Sequence, residues 1–138
     1  MAENLYSFNK AMIIDDSNTD RYIAEHYLRK CFIAAHVKAH ASAIDALEYL
    51  KEFADRLDEL PQIIFLDIRM PLMDGFEFLA EYEKLSPSIH QHCTVVMVSS
   101  SIDPGDHERI KENPFVKKFI NKPLNREKLL ELNALAKT

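Results

Sequence analysis

The chain has 138 residues, of which 47% are hydrophobic and 28% charged, with a formal net charge of −5. That length makes one domain, able to bury roughly two-thirds of its unfolded surface, and the composition excludes disordered and fibrous classes. An acidic balance without a basic run excludes a nucleic-acid backbone as the expected partner, and no apolar stretch nears the roughly 20 residues of a membrane helix.

The N-terminal MAENLYSFNK is neither basic nor apolar, so no export signal is expected. Ala11-Met12-Ile13-Ile14 is a short apolar run that ends on Asp15-Asp16, and it reads as a first strand. Ser17 or Asn18 caps a helix in which Ile23, Tyr27, Leu28 and Cys31 recur at helical spacing. Val37 and Ala39 mark a weak second strand. Ser42 then caps a helix with Ile44, Leu47, Leu50, Phe53 and Ala54 on one face.

Pro61 ends that unit, and Ile63-Ile64-Phe65-Leu66 is the third strand. Asp74 caps the next amphipathic helix, with Phe76, Leu79 and Ala80 inward, and the pattern stops near Ser86-Pro87. Cys93 to Val98 is a continuously apolar fourth strand. A polar helix over about Asp106 to Glu112 follows Pro104-Gly105. Phe115 to Ile120 forms the fifth strand, broken at Lys122-Pro123, and a last helix begins near Asn125 with Leu129, Leu130 and Leu135 inward.

A strand–helix unit repeated five times, with strands that read as continuous and not alternating apolar runs, predicts a parallel sheet covered on both faces. Right-handed crossovers leave a five-stranded doubly wound α/β fold, flavodoxin-like, of strand order 2-1-3-4-5. The whole chain, 1–138 with a core over about 10–136, reads as a single domain with no output domain expected. Cys31 and Cys93 are far apart and outside any CxxC, which predicts reduced thiols in a cytoplasmic protein. His90, His92 and Cys93 lack the four spaced ligands of a zinc site and read as loop and strand start.

In open parallel sheets ligands bind beyond the carboxyl ends of the strands, where the strand order reverses. The first strand delivers Asp15 and Asp16 there, the third Asp67, the fourth Ser99 and the fifth Lys122. Two unit charges about 5 Å apart repel by about 3 kcal/mol at an effective dielectric near 20, so three clustered acids require a counter-charge. Lys122 supplies part of it, and an oxygen-only donor set suits Mg2+ better than Zn2+. A carboxylate beside a hard cation, a hydroxyl and an ammonium has the chemistry to take a phosphoryl group as an aspartyl phosphate. Gly75 and Gly105 are the two glycines of the chain, too few for a glycine-rich nucleotide loop.

Asp15-Asp16, FLDIRMPLMDG with Asp67, VMVSSS with Ser99 and FINKP with Lys122 together resemble the receiver domain of two-component response regulators, of the chemotaxis type. The resemblance runs from about Lys10 to Leu135. It implies that Asp67 is the phosphoacceptor, supplied by a histidine kinase or a histidine phosphotransfer protein. It implies direct Mg2+ ligation by Asp16, Asp67 and the backbone carbonyl of Arg69, with Asp15 acting mainly through water. By the same resemblance Ser99 bonds the phosphoryl group and Lys122 pairs with it, Ser99 and Phe119 form the switch, and Lys122-Pro123 is the family's cis peptide.

The implied output is a conformational change read by a downstream protein on the surface of the Asp106–Glu112 helix, the fifth strand and the last helix. Neither DNA nor a membrane is an expected partner, and self-phosphorylation with slow autodephosphorylation is the extent of the expected chemistry. Phe119 lacks the hydroxyl many relatives carry, so a switch there works by packing. Arg69 and Ser101 stand where the family tunes dephosphorylation. Two alternatives remain: a pseudo-receiver that binds partners without taking phosphate, and a dehalogenase-like phosphatase. The second wants an acid two residues after its nucleophile, where Arg69 stands.

Overall fold

The apolar runs become strands, and the segments that follow them become helices that cover both faces of the sheet. The computed structural model describes residues 5–101 and 103–137. Among the described residues the strands are β1 (Phe8–Ile14), β2 (Ala34–His40), β3 (Ile63–Leu66), β4 (Thr94–Ser99) and β5 (Val116–Asn121). The helices are α1 (Asn18–Lys30), α2 (Ala43–Glu52), α3 (Gly75–Glu83), α4 (Pro87–His92), α5 (Pro104–Glu112) and α6 (Arg126–Leu130), the last continued by a 3-10 segment, Glu131–Lys137.

All neighbouring strands pair in parallel, in the order β2-β1-β3-β4-β5. The sheet has the doubly wound 2-1-3-4-5 topology expected from the sequence. Its strands bury both faces because successive side chains point to opposite sides. Met12, Ile14, Ile64, Leu66 and Met97 pack against Ala46, Leu47 and Leu50 of α2 and Phe78, Leu79 and Tyr82 of α3. Ala11, Ile13, Phe65, Val96 and Val98 pack on the other side against Ala24 and Leu28 of α1 and Leu129 beyond β5.

Several local readings are corrected. Pro87 does not merely end a helix: α3 stops at Glu83, and Pro87 opens the short α4 from its first turn, where its missing N–H is no loss. The buried face of α2 is Ala43, Ala46, Leu47 and Leu50, which turns Ile44 outward. Ala80 and Leu130 are likewise exposed, and Leu132 takes the inward place next to Leu129. Ser17, rather than Asn18, caps α1, its hydroxyl accepting from the Asp20 N–H. Asp74 and Glu77 form a reciprocal capping box at the start of α3.

Candidate functional site

Register fixes the site before any side chain is considered. The Asp67 N–H donates to the Ile14 carbonyl at 3.0 Å, and the Lys122 N–H donates to the Ser99 carbonyl at 3.0 Å. The residues just past β1, β3, β4 and β5 are therefore set side by side at one rim of the sheet. Asp15 and Asp67 are buried there, and Asp16 is exposed. One carboxylate oxygen from each of Asp15, Asp16 and Asp67 lies within 4.8 Å of the others.

Lys122 faces this group. Its Nζ is 2.8 Å from Asp15 Oδ2, 2.7 Å from Asp20 Oδ2 and 3.6 Å from Asp67 Oδ2. Nothing in the local sequence marks Asp20 as a site residue. It lies in the first turn of α1, where an acid is ordinarily explained by the helix dipole. Burial acts to lower the Lys122 basicity, but its hydrogen bonds to Asp15 and Asp20 overcome it and hold the ammonium above the ordinary lysine range.

The two buried acids are also positioned by the backbone. Asp15 Oδ1 accepts from the Ser17 N–H at 2.9 Å, and the Arg21 guanidinium donates to the Asp15 carbonyl at 2.7 Å. Asp67 Oδ1 accepts from the Ile68 N–H at 2.8 Å. Burial, and next the neighbouring Asp15, push the Asp67 carboxyl up to about 6, against the opposing pull of Lys122. A carboxylate held against its preference for water, among like charges, is the environment a hard cation relieves. The residues present thus fit a divalent metal: three convergent oxygen donors, with Asp16 open to solvent.

The other expected residues are less closely gathered. Ser99 is buried at the end of β4, and its hydroxyl accepts from the Ser101 N–H at 3.1 Å. The Arg69 side chain points to Asp106, with which its guanidinium forms an ion pair. Phe119 is half-buried against the core, its ring 4.8 Å from that of His107. The Lys122–Pro123 peptide is cis. Pro71 and Met73 shape the loop after Asp67, and Leu72 between them is exposed with φ 70°.

Residues 11–133 match the response regulator receiver domain. The chain belongs to that family. Receivers of this family are signalling modules of two-component and chemotaxis systems, working with histidine kinases and downstream targets. Over 122 residues this receiver is 34% identical to protein PilG of Pseudomonas aeruginosa, covering 88% of the chain and 82% of that protein. It is 32% identical over 120 residues to the sensor histidine kinase CheAY of Helicobacter pylori, covering 86% of the chain but spanning 14% of the length of that relative. Among solved structures, a response regulator receiver protein from Dyadobacter fermentans superposes with a TM-score of 0.80 at 30% identity, covering 92% of this chain and 96% of that one.

Proposed function

We propose that this receiver accepts a phosphoryl group on Asp67 from a phosphohistidine of a kinase or phosphotransfer protein. The convergence of Asp15, Asp16, Asp67 and Lys122 at one strand-end rim carries the reading. An Asp67 oxygen forms the new P–O bond as the donor P–N bond breaks, and the leaving imidazole nitrogen keeps the electron pair and takes up a proton. At neutral pH the Asp67 carboxyl, with its midpoint near 6, is mostly the ionised nucleophile.

Asp16, Asp67 and the Arg69 backbone carbonyl would hold Mg2+, with Asp15 behind them. When bound, such a cation neutralises phosphoryl oxygens and the like charges of the acids. Lys122 supplies a fixed positive charge on the far side of Asp67. Ser99 supplies a hydroxyl once it leaves its bond to Ser101, and Phe119 then turns toward the vacated space. The added charge of about −1.5 to −2 is what a partner protein reads, through altered packing of α5, β5 and α6. No described helix is long and apolar enough to cross a membrane. The net charge of −5 and the absence of a basic run support the reading of a cytoplasmic protein that does not bind nucleic acid directly.

A phosphatase of the dehalogenase type is disfavoured, because Arg69 stands where its second acid belongs and is engaged by Asp106. The deciding experiment is incubation with acetyl phosphate and Mg2+, read by intact mass. Gain of one phosphoryl group by the wild type, lost in Asp67→Asn, is the expected result. A phosphorylated Asp67→Asn protein would overturn the assignment.

A further inference from the structure

Asp106 is a buried carboxylate that plays no part in the acceptor chemistry. It lies in the first turn of α5, and its Oδ2 takes two partners. One is the guanidinium of Arg69, two residues past Asp67, and the other is the Ser101 hydroxyl at 2.8 Å, two residues past Ser99. One side chain thus ties the loops after β3 and β4 to the same helix.

Ser101 is the hub of this arrangement. Its N–H donates to Ser99 Oγ at 3.1 Å, its hydroxyl donates to Asp106, and its carbonyl accepts from His107 Nε2 at 2.9 Å. The Asp103 N–H donates to the Ser101 hydroxyl at 3.2 Å. His107 in turn lays its ring against Phe119. A continuous chain of contacts therefore links the Ser99 hydroxyl, through Ser101 and α5, to the aromatic ring on β5.

The geometry carries a consequence for activation. On the reading that the Ser99 side chain turns toward a phosphoryl group on Asp67, its oxygen moves away from the Ser101 N–H, and Ser101 is held on two further sides by α5. Breaking that grip is work done against the resting arrangement. We propose that the Arg69–Asp106–Ser101 cluster is a latch that stabilises the unphosphorylated state and sets how readily the receiver is activated, with Asp106 as its positioning residue. The latch rests on the reading of Asp67 as phosphoacceptor. A ligand that selects one state binds with its intrinsic affinity multiplied by the fraction of molecules in that state, so loosening the resting state tightens the ligand.

The probe is beryllofluoride, an acyl-phosphate mimic, titrated with Mg2+ into full-length wild type, Asp106→Asn and Ser101→Ala, with circular dichroism and thermal melts as fold controls. Asp106→Asn removes the charge that both arms share, and Ser101→Ala cuts the hydroxyl arm alone. Both variants are expected to bind beryllofluoride about five-fold more tightly than wild type, the lower end of a typical coupling between sites. The double variant should gain less than the product of the two, because the arms share Asp106. Equal or weaker binding by folded Asp106→Asn and Ser101→Ala overturns the latch while leaving the acceptor assignment intact. If Asp106→Asn does not fold, Ser101→Ala, which removes one hydroxyl from a half-buried loop position, decides alone. Wild type that binds no beryllofluoride at all removes both the latch and the acceptor reading.

Discussion

A Cβ placed on Gly75 would stand 2.5 Å from the backbone carbonyl oxygen of Asp67. The same Cβ would meet Met97 Cε at 2.9 Å, and the Gly75 N–H already donates to the Ile68 carbonyl at 2.8 Å. The first turn of α3 is therefore pressed directly under the acceptor loop, and only the missing side chain makes that approach possible. Gly75→Ala should cost about 1–3 kcal/mol, the usual range for overpacking against a neighbour that cannot yield. Urea denaturation reads it as a lower midpoint at unchanged slope. A midpoint equal to wild type would mean that α3 stands off from the loop.

The raised Asp67 carboxyl makes a pH prediction of definite sign. Its folded midpoint is about 6 against an ordinary value of 3.8, so between those pH values the folded state holds a proton that the unfolded state has released. Stability contributed by this group is thus full below the unfolded midpoint and falls as pH rises through the folded one. The loss is on the order of 3 kcal/mol in metal-free protein. Asp67→Asn should remove that slope and be the more stable protein at pH 7 without metal. Thermal melts of both proteins in EDTA from pH 4 to pH 8 check this. Parallel curves would show that Asp67 titrates normally.

The sequence carried the sheet order and the strand-end residues for a physical reason. Buried parallel strands are unbroken apolar runs, so the first polar residue after each one stands out, and Asp15, Asp67 and Ser99 do so, whereas Lys122 follows the half-exposed edge strand β5 and is marked instead by the proline after it. Asp20 and Asp106 did not stand out. Each is an acid in the first turn of a helix, a place where acids are common for reasons of the helix dipole alone. Their roles come from partners 102 and 37 residues away, Lys122 and Arg69. Such long-range polar pairing leaves no local period. The edge strand β2 was weak for a related reason: it is half-buried, so its pattern of buried, intermediate and exposed residues is diluted.

Lys122 concentrates the electrostatic balance of the site. Its ammonium is within 2.8 Å of two carboxylates and 3.6 Å of a third, and two of the three belong to buried residues. Lys122→Met leaves Asp15 and Asp67 facing each other without that charge. The expected destabilisation at pH 7 in EDTA is about 2–4 kcal/mol, reflecting buried charges deprived of their partner. Added Mg2+ should recover part of the loss, because a cation bound to the folded state alone stabilises it by mass action. Chemical denaturation with and without Mg2+ separates the two contributions. A Lys122→Met protein as stable as wild type in EDTA would show that the acids are screened by solvent and not by the lysine.

Asp16 distinguishes a metal site from a merely acidic rim. It is exposed, while its carboxylate lies within 4.8 Å of oxygens of the buried Asp15 and Asp67. Replacing an exposed side chain costs little packing, and losing the Asp16 charge relieves repulsion on Asp67, so Asp16→Ala should be at least as stable as wild type in EDTA. The wild type should instead gain about 1.4 kcal/mol for Mg2+ at ten times its dissociation constant, and Asp16→Ala should gain little at the same concentration. Sodium chloride at matched ionic strength is the control, because general screening acts on all surface charges and does not depend on Asp16. Equal Mg2+-dependent gains in the two proteins would mean that the exposed acid is not a ligand, and the cation would then have to be held by Asp15 and Asp67 without it.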